Sequence, residues 1–240
     1  MPHSLFISDL HLDADRPGGM AAFRHFVTTI APESDALYIL GDLFEYWAGD
    51  DDIRDPFHAQ VISALRELSE RDTKVCLLHG NRDLLMGQAF ADACSATLLD
   101  DPALLDLYGI PTLISHGDTL CTDDVEYQKF RAQVHDAEFQ KDFLARPLAA
   151  RKARIEELRR VSTIEKQHKD SAIMDVNDNA VAELLRNYHY PRLIHGHTHR
   201  PDRHEHIVDG HRCERWVLGD WYRHGSALRC DARECRVLEF

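Results

Sequence analysis

Five short motifs place metal-binding or proton-handling side chains along the first 200 residues: Asp9-x-His11, Gly41-Asp42, Gly80-Asn81-x-Asp83, His116-Gly117-Asp118 and Gly196-His197-x-His199. Carboxylate, imidazole and amide-oxygen donors suit Mn²⁺, Fe²⁺ or Zn²⁺ better than Ca²⁺, and no thiolate is among them. Two such ions about 3.5–4 Å apart can share a carboxylate and a hydroxide and hold both sides of an in-line displacement at phosphorus. Asp42 is the natural bridge. A glycine beside a ligand lets backbone approach the site closely. Singly each motif is weak, since Gly-Asp is a common turn dipeptide. Their force lies in their joint placement. His79 and His195 precede two of the glycines and read as strand-end packing or as support for the ligands. His25, His58, His135, His204, His206, His211 and His224 read as surface residues.

Each motif follows a short apolar run: SLFIS, ALYIL, TKVCLLH, PTLIS and PRLIH. Such runs, rich in Ile, Leu and Val, are expected of strands buried on both faces. Helical patterns lie between them at 19–30, 55–71, 84–94 and 177–188. Alternating strand and helix predicts an α/β layered fold. Polar residues at successive strand ends then meet along one sheet edge, where α/β ligand sites lie. From about 203 onward the pattern changes to RHEHIV, a turn at Asp209-Gly210, CERWVLG and SALRCD. Asp-Gly between alternating runs predicts a hairpin. The expectation is a second, largely antiparallel sheet packed on the first.

The chain has 240 residues, a net charge of −13 and 16 His. A hydrophobic fraction of 44% with 29% charged residues excludes a disordered chain. Net acidity argues against nucleic-acid binding. The six Cys include no C-x2-C pair and read as reduced thiols rather than a disulfide framework. No basic region and apolar run opens the chain, so no signal peptide is expected. No apolar stretch approaches the ~18 residues that span a bilayer. A cytoplasmic protein is the default reading, with membrane-surface binding open.

The segment from about 122 to 175 carries helical patterns at 123–135, 137–145 and 147–160 and no strand signal. Between Lys129 and Lys169 it holds 11 Lys or Arg against 6 Asp or Glu, a local +5 that leaves −18 for the rest. Phe139, Phe143, Leu144 and Leu148 add apolar surface. Two readings stand: a solvated helical insertion, or a lid offering basic and apolar groups to an anionic, lipid-like ligand.

Together the motifs resemble the calcineurin-like metallophosphoesterase superfamily. That resemblance implies one domain over 1–240, a two-sheet α/β sandwich with flanking helices, and a helical lid inserted at about 122–175. Motif by motif it implies Asp9, His11, Asp42 and His199 on one metal, and Asp42, Asn81, His116 and His197 on the other. The stretches FISDLHL, ALYILGDLFEYWAGDDD, HGNRDLLMG, SHGDTLCTDDVEYQKFRAQV, SAIMDVN and LIHGHTHRP are similar, nearly end to end, to the UDP-2,3-diacylglucosamine hydrolase family of the lipid A pathway. That resemblance implies Mn²⁺ and hydrolysis of the nucleotide-lipid pyrophosphate to 2,3-diacylglucosamine 1-phosphate and UMP. The implied catalytic set is Asp42, Asn81, Arg82 and His116, with a metal-activated hydroxide attacking the uridine-linked phosphorus. The implied substrate contacts are Asn81, Arg82, Asp124, Ser162, Lys166, Lys169 and His197, with Lys166 standing where family members often have Asn. A monomer on the cytoplasmic face of a Gram-negative inner membrane is the implied setting.

Arg82 stands where many superfamily members have a proton-donating His. An arginine cannot donate a proton near neutral pH. A departing phosphate has a second pKa of about 6 and leaves without one, so a fixed guanidinium suffices. Arg82 therefore favours a phosphoanhydride over a phosphomonoester. The competing readings are another metallophosphoesterase, such as a nucleotide or protein phosphatase, and a catalytically dead scaffold. The scaffold is disfavoured because all seven ligand positions hold competent residues.

Overall fold

The computed structural model describes residues 1–166 and 173–240, with side chains described for 1–160 and 173–240. Among the described residues eleven strands form two mixed sheets. The first has the order β11-β10-β1-β2-β3-β4, from β1 (Ser4–Ile7), β2 (Ala36–Leu40), β3 (Lys74–Leu78), β4 (Thr97–Leu98), β10 (Ser226–Cys230) and β11 (Cys235–Glu239). The second has the order β5-β6-β7-β9-β8, from β5 (Ala103–Leu107), β6 (Ile110–Ser115), β7 (Arg192–His195), β8 (Asp202–Val208) and β9 (His211–Val217).

The alternation of strand side chains builds four layers. From β1, Leu5 and Ile7 face α1 (Pro17–His25), α2 (Pro56–Ser69) and α3 (Gln88–Cys94), together with Leu37, Ile39, Val75 and Leu77. Phe6 faces the other way and meets Ile114, Ile194 and Leu228 between the sheets. On the far face Leu113 and Leu193 pack on Val181 and Leu185 of α7 (Asp178–Asn187). Local chemistry sets the helix starts. Asp55 accepts from the Phe57 N–H with Pro56 in the first turn of α2, and Asn177 accepts from the Asn179 and Ala180 N–H groups at the start of α7.

The expected hairpin forms, with Val208 paired to His211 across the Asp209-Gly210 turn, whose φ angles are 51° and 85°. The C-terminal strands do not make a sheet of their own. β8 and β9 extend the second sheet beside β7, while β10 crosses to pair antiparallel with β1 and carries β11 with it. The alternation of SALRC suits either sheet; what places it is the open edge of β1. The reading of all six Cys as reduced is also corrected. Cys230 and Cys235 face each other in the β10–β11 register and are disulfide-bonded, while Cys76, Cys94, Cys121 and Cys213 are free and buried. His58 is buried rather than at the surface, because α2 points it inward. Its Nδ1 donates to the Asp52 carbonyl at 3.2 Å and its ring packs on Phe44 and Trp47.

Between β6 and α7 lie α4 (Val125–Val134), α5 (Ala137–Leu144) and α6 (Leu148–Lys166), as the sequence pattern anticipates. Asp124 and Asp136 cap the first two. Part of their basic excess is matched by the acidic stretch after β2. Arg151, buried on α6, donates to the Ala48 carbonyl at 2.6 Å and pairs with Asp51. Lys152 pairs with Asp52 at 2.7 Å, and Arg159 with Glu45 at 2.8 Å.

Candidate metal centre

β1, β2 and β3 run parallel and adjacent in one sheet, and β6 and β7 do so in the other. Their carboxyl ends meet across the seam between the sheets. The loops there carry Asp9 and His11, Asp42, Asn81, His116, and His197 and His199. All seven residues come together. Asp9, His11, Asp42, His197 and His199 have φ between 48° and 68°, the left-handed region that non-glycine residues rarely adopt. Sharp turns of this kind aim each side chain back over its strand end. Gly196 lies so close to Ser8 and Asp9 that any Cβ there would collide with both side chains.

The donors fall into two groups that share Asp42. In the first, His199 Nε2 lies 3.2 Å from Asp9 Oδ1, and His11 Nε2 lies 3.4 Å from His199 Nε2 and 3.8 Å from Asp42 Oδ2. In the second, Asn81 Oδ1 lies 3.2 Å from His116 Nε2 and 3.0 Å from His197 Nδ1. His116 Nε2 is 3.2 Å from His197 Nδ1 and 3.9 Å from Asp42 Oδ1. Thus one oxygen of Asp42 faces each group.

The donor chemistry fits divalent cations. His116 Nδ1 is 2.8 Å from the Leu40 carbonyl, which can only accept, so Nδ1 carries the proton and Nε2 turns its lone pair inward. There it faces the lone pairs of Asn81 Oδ1. Lone pairs converging in a buried place repel one another unless a cation lies among them. Asp9 Oδ1, fully buried, has no hydrogen-bond partner among the described residues. The charges are correspondingly strained. Burial, with Asp83 and Asp9 adding, pushes the Asp42 carboxyl up to about 7. Burial works against charging His116, yet the Asp42, Asp9 and Asp118 carboxylates outweigh it and lift the imidazole to about 9, so with no metal ion among the donors Nε2 takes a proton in its place and donates to Asn81 Oδ1. Asp9 is held well below the carboxylate range, since His199, His116 and His11 together overcome its burial.

Other residues of the motifs and their neighbours support these donors. Asp83 accepts from the N–H groups of Asp42, Leu43 and Gly80, tying the second and third motif loops together. Asp118 turns away from the centre and receives the Tyr127 hydroxyl at 2.9 Å and Arg131 Nε at 2.7 Å, fastening α4 beside it. The Tyr127 ring then lies 5.5 Å from that of His197. His195 is fully buried and receives Arg215 Nη1 at 3.1 Å, and His79 donates to the Met86 carbonyl at 2.6 Å, so both act as supports.

From the centre a cavity of about 760 Å³ runs beneath α4, α5 and α6. Asn81, Arg82, Asp124 and His197 line it near the metal-binding cluster, and Trp47, Leu85, Phe130, Phe139, Phe143 and Ile155 line it further out. Leu148 is half-buried and is not in its wall. The side chains of Ser162 and Lys166, and Lys169 altogether, lie outside the described residues.

Known proteins agree with this arrangement. The calcineurin-like phosphoesterase family matches residues 3–201. The UDP-2,3-diacylglucosamine hydrolase of Aromatoleum aromaticum is 54% identical over 228 residues, covering 95% of this chain and 93% of that one. The protein of the same name from Aeromonas hydrophila is 47% identical over 98% of this chain and 97% of its own. That from Escherichia coli O7:K1 is 46% identical over 99% and 98%. With its metal-binding loops at five parallel strand ends and relatives matching over nearly its whole length, the chain belongs to the UDP-2,3-diacylglucosamine hydrolases within the calcineurin-like phosphoesterases.

Proposed function

We propose that this chain hydrolyses the pyrophosphate bond of UDP-2,3-diacylglucosamine to 2,3-diacylglucosamine 1-phosphate and UMP. The observation that carries this reading is the union of a divalent-metal donor cluster with a long apolar-walled cavity. A nucleotide phosphatase needs the first but not the second. Asp9, His11, Asp42 and His199 would hold one ion, and Asp42, Asn81, His116 and His197 the other, with Mn²⁺ matching the donor set. The ions supply activation of the attacking water and neutralisation of phosphate charge.

The residues do the rest. Asp42, with one oxygen toward each donor group, would be shared between the two ions. Asn81, Arg82 and His197 at the cavity mouth position the pyrophosphate. Arg82 holds a permanent charge where the lipid phosphate departs, and it needs to give up no proton. Asp124, which caps α4 and lines the cavity, is assigned to substrate binding by resemblance. Ser162, Lys166 and Lys169 are assigned to substrate binding by resemblance. Phe139 and Phe143, stacked at 6.4 Å, give the acyl chains an apolar wall, and α4–α6 serve as the lid.

Val125, Phe130, Phe139 and Leu144 are exposed on these helices beside Lys129 and Lys141. Those lysines pair with Glu126 and Glu138, so the apolar side chains carry the contact, and they suit a monomer resting on a membrane surface, here the cytoplasmic face of a Gram-negative inner membrane. Among the described residues no helix is long and apolar enough to cross a membrane.

The test is a mass-spectrometric assay of UDP-2,3-diacylglucosamine with Mn²⁺ in ¹⁸O water. UMP should carry the label, since attack falls on the uridine-linked phosphorus. Label found only in the lipid phosphate refutes the point of attack. Turnover by chelated enzyme, or by Asp42→Ala with a native circular-dichroism spectrum, refutes the metal reading. A Phe139→Ser, Phe143→Ser variant with unchanged KM and unchanged liposome binding refutes the acyl wall.

A further inference from the structure

Glu45 lies three residues beyond Asp42, and neither the motifs nor the resemblance assigns it a role. It is a carboxylate only 9% exposed, set among four basic side chains from three parts of the chain. Its Oε2 lies 3.4 Å from His11 Nδ1 and 3.5 Å from Arg16 Nη2, ion-pair contacts that are not hydrogen bonds, and Nδ1 meets no other acceptor among the described residues. Its Oε1 accepts from Arg159 Nη2 at 2.8 Å and lies 3.8 Å from Arg82 Nη1. Its backbone N–H is tied to the Leu12 carbonyl at 3.0 Å, so the position is fixed to the His11 loop.

We propose that Glu45 is a positioning residue that joins the metal-binding His11, the phosphate-facing Arg82 and the α6 helix through one carboxylate. Two consequences follow from its two oxygens. At Oε2 the only group His11 Nδ1 can usefully offer is its N–H, which leaves Nε2 with its lone pair toward Asp9 and Asp42. A carboxylate behind a metal-bound imidazole fixes its tautomer and raises its basicity, and losing such a partner weakens metal binding by about 10–100-fold. At Oε1, Arg159 and Arg82 compete for one acceptor. While α6 is docked, Arg159 takes the close bond and Arg82 stays at 3.8 Å, able to turn to a phosphate. Without Arg159 the guanidinium of Arg82 closes on Glu45 and its charge is spent there. Docking of the helix thereby releases the arginine that the reaction uses.

This proposal rests on the hydrolase reading for Arg82 but not for His11, so two readouts separate the failures. Mn²⁺ affinity is measured by competition with a chelating dye, on full-length Glu45→Ala, Glu45→Gln and Arg159→Ala. Glu45→Ala should bind Mn²⁺ about 10–100-fold more weakly, Glu45→Gln should fall between it and the parent, and Arg159→Ala should match the parent. In steady-state assays with UDP-2,3-diacylglucosamine, Arg159→Ala should lower kcat, and Arg159→Ala combined with Glu45→Gln should recover part of it, because Arg82 then has no anion to close on. Unchanged Mn²⁺ affinity in both Glu45 variants overturns the His11 half. If Glu45→Ala fails to fold, the isosteric Glu45→Gln decides alone. An Arg159→Ala enzyme with parental kcat, or one whose loss deepens with Glu45→Gln, overturns the Arg82 half. Inactivity of every variant and of the parent on this substrate, with the metal results as expected, overturns the substrate and not Glu45.

Discussion

Five of the seven proposed metal ligands sit in the left-handed region, and this predicts an inversion of the usual order of alanine and glycine. His199 is the cleanest place to look, because at φ 55° it is strained and its side chain, 28% exposed, is less buried than those of His11 and His116. His199→Ala and His199→Gly remove the same imidazole and the same contacts to Asp9 and Asp220. They differ in backbone freedom. An L-residue in this region costs about 1–2 kcal/mol, which glycine avoids. Glycine gives back about 0.4–1 kcal/mol through the greater freedom of the unfolded chain. The balance favours His199→Gly by roughly 0.5–1 kcal/mol. Urea unfolding in excess chelator measures it without metal affinity entering. With a urea slope of about 2 kcal/mol/M, the midpoint should lie about 0.3–0.5 M higher for the glycine variant at unchanged slope. Gln60, exposed within α2, is the control. There glycine should be the less stable by about 1 kcal/mol. A His199→Ala protein as stable as His199→Gly, with the Gln60 pair behaving normally, refutes the idea that the ligand turns are strained.

Gly41→Ala should destabilise the chelated protein by about 2–4 kcal/mol in urea unfolding, since it adds left-handed strain to overpacking. Its Cβ would lie 2.6 Å from Gly80 Cα and 2.7 Å from His116 Nδ1, so Mn²⁺ affinity should fall with it. Arg151→Met leaves the Ala48 carbonyl without its guanidinium and removes the pair with Asp51. The cost is about 1–3 kcal/mol, felt locally, and limited proteolysis should cut faster within α4–α6 while the sheets survive. Burial pushes the thiols of Cys94 and Cys121 up to about 12, so at pH 8 they stay protonated and unreactive. Iodoacetamide followed by mass spectrometry should label neither until the protein is unfolded.

That the donor residues gather at one place was legible in the sequence because the information is local. Asp9, Asp42, Asn81, His116 and His197 each follow an apolar run, and parallel strands bring such run ends together whatever the strand order. Strand order itself is not local. SALRC pairs with SLFI of β1 across more than 200 residues, and nothing in its alternation names that partner. The Cys230–Cys235 bond was hidden for the same reason, since five residues of separation mean little until a hairpin sets the register. Glu45 was missed because a support for a ligand needs only to be a carboxylate in the right place, and any Glu in a turn looks alike. His58 looked external because histidine usually is, but its helix phase, with Val61, Ile62 and Leu65, already pointed inward. Neither reading of the basic insertion, solvated helices or a lid over an anionic ligand, named the acidic partners on which Arg151, Lys152 and Arg159 place their charge, Asp51, Asp52 and Glu45.

The donor cluster straddles the seam, with Asp9, His11, Asp42 and Asn81 contributed by one sheet and His116, His197 and His199 by the other. The apolar interior joining these slabs, Phe6 against Ile114 and Ile194, resists separation but gives little resistance to sliding. Cations held from both sides would act as a rivet through a lap joint. Shear between the slabs would then be the soft mode of the metal-free protein. Its signature would be faster amide exchange along β6 and β7 near the seam, with the tip of the β8–β9 hairpin around Val208 and His211 unchanged. The same ions that run the chemistry would thus fix the alignment of the two halves on which their own coordination depends.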